Sequence, residues 1–165
     1  MAAALDTMTH PEIPSDELSR RVSVLKRFRE LLVKQRDRFR DYLVALDKQK
    51  DVIEKGSAEE LIAHVEFEEQ IVADIFSIQK VINPLEDMYR MGFPDKEAEV
   101  PLLKAALEDL KAEAVVRSER NKELLSRRMA EIRLEIKSLR ANPYAASRRG
   151  SYDTAETASL VDLKG

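Results

Sequence analysis

An all-α fold, an elongated antiparallel helical bundle or coiled coil of three long helices, follows from three observations. Apolar residues stand seven apart at Leu18, Leu25, Leu32, Phe39, Leu46 and Ile53, and neither Pro nor Gly interrupts Ser15 to Lys55. Charged residues make up 36% of the 165-residue chain and aromatics only 5%, with 4 Gly and no Trp. That balance suits long helices with solvated flanks and not a pocketed enzyme. Two later segments repeat the helical spacing, each bounded by breaker residues. A helix of about forty residues is about 60 Å long, too long for a compact core, so it must lie along other long helices.

Residues 1–14 read as a flexible leader ending in Pro11 and Pro14. The first helix spans about 16–55, with Ser15 as its cap and Asp16 and Glu17 at its positive end. Val22, Phe28, Tyr42 and Leu43 widen its seam. Gly56 is expected to end it as a left-handed stop. Ser57 and Glu60 have capping-box spacing and open the second helix, about 58–91. So short a turn makes the two helices antiparallel.

The second helix carries Leu61, Val65, Val72, Ile75, Ile82 and Tyr89, with Ile71, Ile78 and Leu85 beside them. This face is wide enough to predict contact with two other helices. Pro84 predicts a kink. The third helix spans about 100–141, with Pro101 in its first turn. Its apolar positions run Leu103, Leu107, Leu110, then Leu125, Met129, Ile132, Ile136 and Leu139, across a polar waist at Arg117–Lys122. The helical domain is thus 15–142, and 143–165 is expected to be a disordered tail.

Charge is segregated. Residues 15–55 carry net +4, 56–99 net −8 and 100–142 net +3. The acidic middle helix would find opposite charge on both neighbours.

No catalytic or cofactor chemistry emerges, so no enzyme, cofactor or metal site is expected. Cysteine is absent. His64 follows Glu60 by one turn, but His10 is the only other histidine, too few for a di-iron bundle, so a solvated or interface histidine is expected. Arg27, Arg29, Arg36, Arg38 and Arg40 form a basic run, yet Glu30, Asp37 and Asp41 interrupt it. A structural role with no nucleic acid is favoured. Glu66, Glu68 and Glu69 lack the loop residues of a Ca²⁺ site. Gln35, Gln49, Gln79 and Asn121 fall on or beside the stripes, where buried amides fix register. No apolar run is long enough to insert into a membrane, and no secretory signal is seen, which points to the cytoplasm.

The order of these segments resembles the FlgN family of flagellar export chaperones over about residues 17–140. The matching marks are Leu31-Leu32 with Gln35, Lys48-Gln49-Lys50, Gly56-Ser57 with Glu60-Leu61, Glu86 with Arg90, and Asn121-Lys122-Glu123-Leu124-Leu125. The resemblance implies a cytoplasmic chaperone that holds exported hook-associated proteins and delivers them to the flagellar type III export apparatus. It also implies a tyrosine after the last helix that docks on an export-gate component. Tyr144 is the nearest match, and Tyr152 competes with it.

The candidate client surface is Leu125, Met129, Ile132, Ile136 and Leu139, which would take an amphipathic client helix by helix-in-groove capture. The opposing expectation makes the same stripe the third wall of the core. The alternative function is a coiled-coil scaffold or oligomerising adaptor, and a homodimer is compatible with the wide second helix.

Overall fold

In the computed structural model, residues 12–92 and 97–141 are described. They form three helices: α1 (Ser15–Lys55), α2 (Ala58–Gly92) and α3 (Glu99–Ala141). Successive helices run antiparallel, so α1 and α3 point the same way. Pairings such as Gln35 with Gln79 and Gln49 with Glu68 define the first crossing, and Arg29 with Glu97 and Leu46 with Asn121 the second.

The spatial order differs from the order along the chain. α1, not the acidic α2, lies in the middle, and α2 and α3 each pack on it. Among the described residues, no α2 Cα lies within 8 Å of an α3 Cα. α2 meets two helices only at one end, through side chains: Glu86 pairs with Lys104 of α3, and Ile78 and Ile82 share a cluster with Leu103 and Leu107; elsewhere along its face it packs on α1 alone. α1 can serve both neighbours because its buried face includes Gln35 and Ala45 as well as Phe28, Leu31, Leu32, Leu43, Leu46 and Ile53. Small and polar residues complete a face that counting large apolar side chains makes too narrow.

The core divides along the rod. At one end all three helices share a cluster of Phe28, Leu31, Leu32, Ile78, Ile82, Val100, Leu103 and Leu107, with the Tyr89 ring tilted against Phe28. Towards the α1–α2 turn it splits. Leu43 and Leu46 pack with Ala114 of α3, while Ala45 packs with Ile71 and Ile75 of α2. Half-buried Tyr42 borders both clusters. The buried line of α2 is thus Ile71, Ile75, Ile78 and Ile82, while Val65 faces outward.

Local chemistry sets most helix ends. Ser57 N–H donates to Glu60 Oε2 at 2.9 Å and Glu60 N–H to Ser57 Oγ at 3.2 Å, closing the capping box. Glu97 caps α3 from outside, accepting from the Glu99 and Val100 N–H groups at 3.0 and 2.8 Å while pairing with Arg29. Burial works against its charge, but these hydrogen bonds outweigh burial and hold its carboxyl below the ordinary range.

Two end assignments differ from expectation. Ser15 is already in the first turn of α1, behind Pro14, and no side chain caps that end. Gly56 is extended (φ −86°, ψ 173°), not left-handed. Glycine is needed there for space: a Cβ would sit 2.7 Å from the Val52 carbonyl oxygen and 2.8 Å from Glu60 Oε2. The capping carboxylate and the end of α1 occupy the volume a side chain would take.

α2 continues as one helix through Pro84 to Gly92. Pro84 and Lys80 are both exposed, so water can reach the Lys80 carbonyl that the proline leaves without an N–H partner. The arginine run is engaged with carboxylates: Arg27 with Glu30, Arg29 with Glu97 and Glu99, Arg36 and Arg40 with Asp37, and Arg38 with Asp41 and Asp74. Among the described residues no helix is long and apolar enough to cross a membrane.

Candidate partner-binding surface

The buried seam of α3 runs Val100, Leu103, Leu107, Ala114 and Asn121. Asn121 is its last buried residue. Its Nδ2 donates to the Leu46 carbonyl at 2.7 Å and to Gln49 Oε1 at 2.9 Å. Gln49 Nε2 in turn donates to Glu68 Oε2 at 2.7 Å, so one polar layer joins all three helices. His64 closes it on the α2 side: Nε2 lies 2.7 Å from the Ala45 carbonyl and 3.4 Å from Glu68 Oε1. His64 is therefore a nearly buried interface histidine.

Burial pushes the Glu68 carboxyl above its ordinary range, against the pull of His64, and Oε1 has no hydrogen-bond partner. Burial and the nearby Glu68 charge also push the Tyr42 phenol up.

On the α3 side the layer is clamped. Arg117 Nη1 pairs with Asp47 Oδ2 at 2.8 Å and donates to the Leu43 carbonyl at 3.2 Å. Arg120 Nη2 pairs with Asp47 Oδ1 at 3.1 Å. The polar waist is thus the anchor of α3 on α1. Sequence reasoning marked the waist but missed the clamp, because Asp47 stands far away in the chain and nothing local links it to Arg117 and Arg120.

Beyond the anchor the helix leaves the bundle. Every residue from Leu125 to Ala141 is exposed. Leu124, Arg127, Arg128 and Glu131 still line a cleft with Ile53 and Glu54 at the end of α1. Past Glu131 the helix runs on for ten residues, about 15 Å, with no α1 beneath it. Leu125, Met129, Ile132, Ile136 and Leu139 remain 37–48% exposed. Their steps of four, three, four and three keep them within an arc of about 80° that continues the buried seam. The expectation that they form a third core wall fails because α1 ends too early to cover them. They form one open stripe with core spacing.

Arg127, Arg128, Arg133, Lys137 and Arg140 flank the stripe against Glu131 and Glu135, giving 125–141 net +3. Arg128 pairs with Glu131 at 3.3 Å, within the helix. Tyr144 and the tail lie outside the described residues.

The chain is 31% identical over 157 residues to an uncharacterized protein of Treponema pallidum (strain Nichols), covering 94% of this chain and 99% of that protein. The chain belongs to that protein's family. A match of this length takes in all three helices, the projecting end of α3 included. No family model matches the chain, and no solved structure matches it.

The geometry of the surface defines what it can bind. It offers an apolar stripe about 21 Å long, basic flanks and a polar anchor that fixes its base. Such a helix can contribute one strand of a coiled coil or lie against a groove.

Proposed function

We propose that this protein is a cytoplasmic, non-enzymatic chaperone of the FlgN type. It binds hook-associated proteins before their export and delivers them to the flagellar type III apparatus. The observation that carries this reading is the Leu125–Leu139 stripe, which has the spacing of a core seam and no core to enter. Apolar residues at heptad positions bury readily against an amphipathic helix. A client segment seated there would be shielded from assembling prematurely. The ordered marks shared with FlgN chaperones, from Leu31-Leu32 to Asn121-Lys122-Glu123-Leu124-Leu125, supply the client class. In this reading Tyr144, three residues beyond α3, addresses the loaded complex to the export gate.

The test is capture of purified hook-associated proteins by the full chain and by Leu125→Glu with Ile132→Glu. Both positions are exposed, so the variant should keep its helix content and lose client capture. Unchanged capture by the variant, or no capture by the parent chain, would overturn the proposal.

A further inference from the structure

A second apolar stripe stands open on α2. Ile62, Val65, Val72 and Phe76 fall with Glu69 on steps of three, four, three and four; Ile62 and Phe76 are 62% and 65% exposed, Val65 37%, and Val72 is half-buried between them. This stripe has the heptad spacing of the α3 stripe and the same length, about 21 Å.

The two differ in charge. Residues 58–76 hold six acidic side chains and no Lys or Arg, whereas 125–141 carries net +3. Glu59, Glu66, Glu69, Arg133, Lys137 and Arg140 make no ion pair among the described residues, although most other charges along the rod are paired.

The stripes also lie at one end of the rod. α2 begins at the Gly56 turn and runs inward, while α3 passes that turn and runs outward. The projecting end of α3 cannot fold back on its own α2 without breaking a continuous helix. A second copy, related by a two-fold axis across this end, brings its α2 alongside that projection. The two helices then run in the same direction, and the same axis makes the reciprocal contact, so the assembly closes as a dimer.

We infer that the chain forms an end-to-end homodimer in which the basic α3 stripe of each copy seats on the acidic α2 stripe of the other. The dimer covers both open stripes at once, with Leu125 beside Ile62 and Leu139 beside Phe76, and this register brings Arg133 and Lys137 alongside Glu66 and Glu69, while Glu59 and Arg140 add to the opposite fields of the two surfaces. It uses the α3 stripe assigned above to clients, but it does not depend on that assignment: a second copy is the occupant whose matching surface is visible.

The test is the mass of the full chain in solution at low ionic strength, by sedimentation or light scattering. The parent chain should have twice the chain mass and dissociate with added salt. One variant, Glu59→Lys with Glu66→Lys and Glu69→Lys, and another, Arg133→Glu with Lys137→Glu and Arg140→Glu, should each be monomeric with unchanged helix content. Mixed one to one, they should recover the dimer, because each reversed stripe then meets its complement. A monomeric parent chain would overturn the inference. So would a dimer that survives reversal of the α2 charges, since another surface would then join the copies. A second copy and a client compete for the α3 stripe, so capture is measured separately, on the monomeric α2 variant, whose α3 stripe is unchanged and open.

Discussion

Glu68 shows how much one side chain can differ from its neighbours. Glu66 and Glu69 are solvated, while Glu68 is buried beside Gln49 and His64. Its carboxyl lies above the ordinary range when folded and in it when unfolded. As pH rises from the ordinary glutamate pKa to the raised one, the unfolded chain has released a proton that the folded chain retains. Stability from this group therefore falls as pH rises through that window. Glu97 and Glu86 have the opposite sign: Lys104 lowers Glu86, and stability from both is lost as pH falls through their depressed pKa values. Glu68→Gln should thus gain stability relative to the parent as pH rises from about 4 towards neutrality. Urea midpoints across that range measure it. A constant difference between the two proteins would show that Glu68 does not titrate on unfolding. Neighbouring sequence did not reveal this residue, because a glutamate among glutamates gives no sign of facing inward. Gly56 was legible as a helix end and misread as to cause: its φ is ordinary, and its missing Cβ makes room for the cap of the next helix.

At the scale of the elements, the sequence was most informative where the signal is local. The Ser57–Glu60 box, Pro101 in a first turn and unbroken heptads place helices at nearly their observed bounds. Which helix is central depends on pairings between distant segments, and charge segregation does not settle it: α2 finds Arg38 of α1 at Asp74 and Lys104 of α3 at Glu86, yet α1 is the helix in the middle. The α3 stripe was legible in composition, whereas its exposure required knowing that α1 ends at Lys55. This division of α3 into an anchored part and a free part has an energetic consequence. Asn121→Ala leaves Gln49 Oε1 without its donor and should cost about 1–3 kcal/mol. Ile132→Ala should change monomer stability by no more than about 0.5 kcal/mol, because no core is opened. Denaturant titration at concentrations too low for dimers compares them. A cost at Ile132 equal to that at Asn121 would place the stripe inside the monomer's fold.

For the whole molecule, the decisive property is that α1 is a spine for two helices whose backbones stay apart. Near Phe28 a single cluster ties α1, α2 and α3 together, so none can leave without exposing the others. Near the Gly56 turn, the Ala45 and Leu46 clusters belong to different pairs, joined by Tyr42 and the Asn121 layer. Opening should therefore be graded along the rod. Hydrogen exchange should protect the amides around Phe28, Ile82 and Leu107 most, and those after Asn121 least. α2 from Ala58 to Phe76 and α3 from Leu110 to Asn121 should exchange with separate denaturant dependences. One common dependence for both would show that the ends unfold together.

The split core also bears on how signals could pass through the protein. A ligand seated on one arm near the Gly56 turn can rigidify that arm without stiffening the other, since the two share few side chains there. Coupling between them can run through Tyr42, through the Arg120–Asn121–Gln49–Glu68 relay or back through the Phe28 cluster. The rod is therefore built to keep two binding events at one end nearly independent, with one shared tyrosine and one row of hydrogen bonds as the places where they can be made to communicate.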